Sequence, residues 1–173
     1  MGMLRNMLEE RHIEGDWQVD SAGTWGLEGE PAAAGSRAVM DTIGIDISDH
    51  SARRVDHDLL KSYDLVLTME LGHKEALCME FPVFKERIYM LSEMAGDKSD
   101  IKDPYGGSYS GYERAAEDIQ VYLENGFDTI ICLGMFYRLT CSKIRRFLQP
   151  LFTAAQAVGL ENRVSILKQF TMR

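Results

Sequence analysis

Tyr63-Asp64-Leu65-Val66-Leu67-Thr68-Met69 is an almost unbroken apolar run, the pattern of a parallel strand buried on both faces. A strand with one wet face would alternate instead. Downstream, Gly72 to Phe81 reads as a helix, and Arg87-Ile88-Tyr89-Met90-Leu91 as a second buried strand. Strand, helix and strand in that order predict a parallel sheet covered by helices on both faces.

Working outward, residues 3 to 12 predict a helix with Met3, Leu4, Met7 and Leu8 on one side. Trp17 to Ala22 alternates like a strand and enters the turn Gly23-Thr24-Trp25-Gly26. Pro31 opens a small-residue helix that Gly44 closes, with proline at the start and glycine past the end as helix chemistry prefers. Asp56 or Asp58 is placed to cap a short helix around Leu59-Leu60-Lys61. Tyr112 to Asn125 reads as a helix with Ala115, Ala116, Ile119, Tyr122 and Leu123 inward and Gly126 as its stop. Beyond it, Phe127 to Leu133 reads as a strand, Cys141 to Val158 as a helix, and Val164 to Leu167 as a short strand.

The 173 residues suit one domain with a substantial core. A net charge of −8 argues against a nucleic-acid or anionic-membrane partner, yet allows a small phosphorylated ligand in a local positive pocket. Cys78, Cys132 and Cys141 are too few and odd in number for a disulfide framework, which points to a reducing cytoplasm. No apolar run reaches the length of a membrane span.

Asp103-Pro104-Tyr105-Gly106-Gly107 follows the second buried strand after a polar connector and precedes a helix. That order puts a carboxyl group outside the carboxyl ends of the strands, where α/β sheets bind ligands. Proline fixes the backbone after Asp103, and the glycines let main chain approach a small anion. The plainer account is a turn in which Asp103 binds local N–H groups.

Six segments in order resemble the low-molecular-weight protein tyrosine phosphatases. They are Val19 to Thr24; Pro31 with Arg37-Ala38; Gly44-Ile45-Asp46-Ile47; Asp49-His50-Ser51-Ala52-Arg53; Asp64 to Met69; and Asp103 to Gly107. The resemblance implies an α/β, doubly wound parallel sheet of about four strands, the phosphotyrosine protein phosphatase I-like fold. It covers a domain of residues 1–131, leaving 132–173 as a C-terminal extension. It also implies hydrolysis of a phosphomonoester, on a phosphorylated protein or a small molecule, through a phosphocysteine and without a cofactor. In that chemistry a loop of backbone N–H groups and an arginine hold the phosphate, and the same field lowers the cysteine pKa. Carried over, Asp103 is the general acid, and Trp25 and Tyr105 are walls of the aryl-accepting cleft. Protein-arginine phosphatases and arsenate reductases resemble the same fold. The tyrosine and arginine readings stay open, and the reductases typically need further redox cysteines in mid-chain.

The family's first strand and its Cys-x5-Arg-Ser loop find no match here, because Met1 corresponds to a point inside the first helix. The expectation is an incomplete copy that lacks upstream residues, since a chain starting mid-helix is poor local design. A second account is permutation, with a C-terminal segment replacing the first strand. Cys132 and Arg138 have the Cys-x5-Arg spacing, after the expected strand and before a helix. Bulky Met135-Phe136-Tyr137 and Leu139 fit a phosphate cradle badly, so a core segment is the competing account. If neither supplies a thiolate, the chain is an inactive remnant or binding module. Cys78 reads as a small buried hydrophobe and His50 as a loop-orienting hydrogen bonder. His50, His57 and His73 lack metal-ligand spacing, so no metal is expected.

Overall fold

The computed structural model describes residues 1–23, 28–139 and 169–170. Its helices are α1 (Gly2–Glu10), α2 (Ala34–Thr42), α3 (His57–Lys61), α4 (Leu71–Glu80), α5 (Leu91–Met94) and α6 (Tyr109–Leu139). Its strands are β1 (Ser21–Ala22), β2 (Val66–Thr68), β3 (Ile88–Met90) and β4 (Gln169–Phe170). All pairings are parallel and the spatial order is β1-β4-β2-β3. The expected four-stranded doubly wound architecture is present.

Period-two geometry divides the core in two. Leu65, Leu67 and Met69 join residues of α1, α5 and α6 in one buried cluster. Val66 points the other way, into a cluster with Ala22, Ile88, Leu60, Leu77 and Phe84, drawn largely from α3, α4 and the turn after α4. A strand with both faces dry needs apolar residues at every position, which is why Leu65-Val66-Leu67 reads as a continuous run. Thr68 is fully buried, and its hydroxyl lies 3.2 Å from the Glu70 carbonyl and 3.4 Å from that of Tyr89.

Local signals account for several helix ends. Asp56 caps α3, its carboxylate accepting the Leu59 N–H at 2.7 Å. The start of α4 is instead capped from a distant part of the chain, Asp100 taking the Leu71 N–H at 2.8 Å. Gly44, just past α2, has φ +74°, a conformation that favours glycine. β1 is shorter than the alternation of residues 17–22 predicts, but its outer edge gains pairing from the 52–55 segment. There the Gly23 N–H donates to the Arg53 carbonyl at 2.9 Å, and the Val55 N–H to that of Gly23 at 3.0 Å.

The C-terminal third corrects the sequence reading. Gly126 does not stop a helix, and Phe127 to Leu133 is not a strand: α6 runs unbroken through both. Gly126 serves close packing instead. A Cβ placed there would lie 2.7 Å from Met94 Cβ and 2.9 Å from the Met94 carbonyl carbon. Phe127 and Ile130 are buried on the core side of this helix. The boundary drawn at residue 131 therefore falls inside one continuous element. Past that point, the Tyr137 hydroxyl donates to the Glu86 carbonyl and sits 3.1 Å from the Tyr89 hydroxyl. Arg138 donates to the Asp16 carbonyl at 3.2 Å. The helix expected over 141–158 and the strand over 164–167 lie outside the described residues. Among the described residues, no helix is long and apolar enough to cross a membrane.

Candidate active site at the carboxyl edge of the sheet

The aspartate loop is tied to the end of β2. The Ile101 N–H donates to the Met69 carbonyl at 2.9 Å, carrying the chain to the sheet's carboxyl edge. Two residues on, the Asp103 N–H donates to Glu70 Oε1 at 3.3 Å. Asp103 Oδ1 accepts the Tyr105 N–H at 2.9 Å, an Asx turn. A second turn follows, in which the Gly107 N–H donates to the Pro104 carbonyl at 2.9 Å. Its third residue, Gly106, has φ +72°, which side-chain-bearing residues adopt only with strain.

The plainer account of this pentapeptide as a turn is thus correct as local structure, and it also orients the carboxyl group. One oxygen is held by main chain, while among the described residues Oδ2 carries no hydrogen bond. Asp103 is exposed, is in no ion pair among the described residues, and lies at the edge where α/β sheets take ligands. Tyr105 projects beside it with 65% of its surface accessible. Such a ring can stack on a flat ligand. Glu70, which sequence reading did not single out, puts a second carboxylate against this loop. Its signal was weak: it stands between β2 and α4, at the N-cap position of the helix, where a polar residue is ordinary.

A second feature lies along β1. A cavity of about 290 Å³ is lined by Arg5, Asp20, Asp49, His50, Ser51 and Arg53, among others. Its two cations are largely committed. Arg5 donates to the Val19 carbonyl from Nε at 3.2 Å and Nη2 at 3.0 Å, and its Nη1 lies 3.6 Å from Asp49. Arg53 pairs with Asp20, whose carboxylate also accepts the Ser21 N–H at 2.7 Å and the Tyr63 hydroxyl at 3.3 Å. His50 is buried, and burial pushes its pKa below the ordinary histidine value against the opposing pull of Asp49. It is therefore neutral at neutral pH.

The remaining sequence candidates fall elsewhere. Trp25 lies outside the described residues. Cys132 and Arg138 are both on α6, which corrects the strand–loop–helix reading of that segment. Amides within a helix bond to carbonyls four residues back, so they cannot converge on a phosphate. Cys132 is also about 35 Å along the axis from Tyr109, where α6 leaves the aspartate loop, at 1.5 Å per residue. Cys78 is half-buried on α4, where burial raises its thiol pKa, the opposite of an activated nucleophile. Among the described residues no cluster of His, Cys, Asp or Glu has metal-binding geometry.

Residues 2–130 match the family model for the low molecular weight phosphotyrosine protein phosphatases. The chain belongs to that family. A probable low molecular weight protein-tyrosine-phosphatase, EpsP, of Ralstonia nicotianae is 34% identical over 116 residues, covering 67% of this chain and 79% of the relative. A protein-arginine-phosphatase of Geobacillus stearothermophilus is 28% identical over 123 residues, covering 70% and 82%. Among solved structures, the low molecular weight protein tyrosine phosphatase from T. tengcongensis superposes with a TM-score of 0.70 at 32% identity, over 75% of this chain and 87% of that one. The family match ends at residue 130, within α6.

Proposed function

We propose that this domain is a phosphoprotein phosphatase in which Asp103 moves the protons. The observation that carries the reading is the Asp103 carboxyl group at the sheet's carboxyl edge, with one oxygen held by main chain and the other free of partners among the described residues. In the first step a cysteine thiolate attacks phosphorus, the bond to the leaving oxygen breaks, and protonated Asp103 hands that oxygen its proton. In the second, water attacks the phosphocysteine, the Asp103 carboxylate takes a proton from the water, and the sulfur leaves as thiolate. Among the described residues neither Cys78 nor Cys132 is placed to face Asp103, so the scheme takes its thiolate from a Cys-x5-Arg-Ser loop leading into α1, as the family resemblance implies. Tyr105, with Trp25, would then border the leaving group. A phosphorylated tyrosine or arginine side chain fits this class of site, and relatives named for each substrate are similar to the chain.

The test is hydrolysis of p-nitrophenyl phosphate at mildly acidic pH, by residues 1–173 and by the same chain extended with its in-frame upstream sequence. Turnover that falls roughly 10²–10⁴-fold in Asp103→Asn supports the reading. Turnover unchanged by that substitution removes Asp103 from the mechanism. A second reading is favoured by the lack of a thiol facing Asp103 among the described residues: a phosphatase-like module that binds without turnover. Tungstate binding to residues 1–173 with no hydrolysis in either form would select it. Comparing phosphotyrosine and phosphoarginine peptides resolves the substrate.

A further inference from the structure

We propose that Glu70 is a positioning residue for Asp103, fixing the main chain from which that carboxyl group hands over its proton. The inference rests on the role proposed above for Asp103. Glu70 stands at the N-cap position of α4, yet among the described residues its side chain makes no capping bond to that helix. The cap comes from Asp100, which takes the Leu71 N–H, while the Glu70 carboxylate takes the Asp103 N–H at 3.3 Å. The start of α4 and the aspartate loop thus exchange carboxylates. An N-cap side chain that leaves its own helix to be capped by another is spent on a different partner.

Both ends of this contact are set. The Glu70 carbonyl accepts the hydroxyl of fully buried Thr68 at 3.2 Å and the Lys74 N–H at 3.2 Å. Across from it, Asp103 Oδ1 accepts the Tyr105 N–H at 2.9 Å, and Pro104 restricts the backbone that follows. Residue 103 is therefore held through its N–H by Glu70 and through its carboxyl group by Tyr105, which sets the direction of Oδ2. Removing the Glu70 carboxylate frees that N–H but not the loop, because Ile101 stays bound to the Met69 carbonyl and Asp100 to Leu71. The fold survives, and the aim of the carboxyl group is lost. A catalytic group displaced by about 1 Å can lose about 10²-fold in rate.

The first test needs no turnover. In residues 1–173, Glu70→Ala should speed solvent exchange of the Asp103 amide about fivefold and leave that of Ile101 unchanged. Glu70→Gln, which keeps an acceptor oxygen, should exchange like the parent. An Asp103 amide unaffected by Glu70→Ala overturns the proposal. The second test compares kcat/KM on phenyl phosphate and p-nitrophenyl phosphate in a form that turns over, since the poorer leaving group depends more on the donated proton. Glu70→Ala should cost roughly tenfold on phenyl phosphate and less on p-nitrophenyl phosphate, with Glu70→Gln within about threefold of the parent. In the Asp103→Asn background Glu70→Ala should cost less than about twofold, because its effect runs through Asp103. The melting temperature should fall by no more than about 4 °C, the scale of one exposed hydrogen bond in a chain of this size. If Asp103→Asn slows turnover and Glu70→Ala does not, or the two losses are independent, this inference fails while the reading of Asp103 stands. An Asp103→Asn chain with full turnover removes both.

Discussion

Replacing Gly126 by alanine should destabilise the protein, although removing a glycine from a helix interior ordinarily stabilises by about 1 kcal/mol. The new methyl would lie 2.7 Å from Met94 Cβ, 2.9 Å from the Met94 carbonyl carbon and 3.2 Å from the Ala95 nitrogen. Two of these are backbone atoms at the end of α5, and Leu91, Ser92 and Met94 are all buried, so no flexible side chain can swing clear. Relief requires α5 and α6 to part locally, loosening a contact that buries Leu91, Met94 and Phe127 together. Overpacking against fixed atoms costs roughly 1–3 kcal/mol, and the backbone contact puts this case at the upper end. Subtracting the propensity gain leaves a net loss of about 1–2 kcal/mol. For a chain of this size that lowers the melting temperature by about 2–8 °C. Gly111 provides the control in the same helix, because its added methyl would meet Pro104 Cβ at 3.6 Å, an ordinary contact. Calorimetry should show Gly111→Ala melting at or above the parent and Gly126→Ala below it. If Gly126→Ala melts at or above the parent, the helices are not in contact at Met94 and the reasoning fails.

Other substitutions test other links. Asp56→Ala should cost about 1 kcal/mol in urea titrations through loss of the α3 cap, and Asp56→Asn much less. Gly106→Ala strains a backbone at φ +72° by roughly 1–2 kcal/mol. In a form with turnover it should lower kcat by displacing Asp103, while Gly72→Ala, where nothing lies within 4 Å, should not. His50 has a depressed pKa, so in the window just below the ordinary histidine value protons bind the unfolded chain and not the folded one. Stability should therefore fall as pH drops from about 6.5, and His50→Gln should flatten that slope. Asp64 behaves oppositely: burial raises its pKa, so the stability it contributes is present at low pH and lost as pH rises through the folded value. Asp64→Asn should therefore be more stabilising, relative to the parent, at pH 7 than at pH 4, as thermal melts at the two pH values will show.

The elements whose environment is written in consecutive residues were legible from the chain. Leu65-Val66-Leu67 declares a strand dry on both sides, Asp56 declares a helix start, and Asp103-Pro104-Tyr105-Gly106-Gly107 declares a turn that presents a carboxylate. Each rests on local sterics or on hydrogen bonds within a few residues. What tertiary structure alone decided is what depends on distant partners. Phe127 to Leu133 is apolar enough for a buried strand or a buried helix, and packing of Gly126 against Met94 selected the helix. That choice carried Cys132 away from Asp103. The pairing of Gln169 and Phe170 with β1 and β2 joins residues distant in the chain, and two residues carry no periodicity by which to announce it. Glu70 meets Asp103 across 33 residues of chain, through a hydrogen bond that no local pattern encodes.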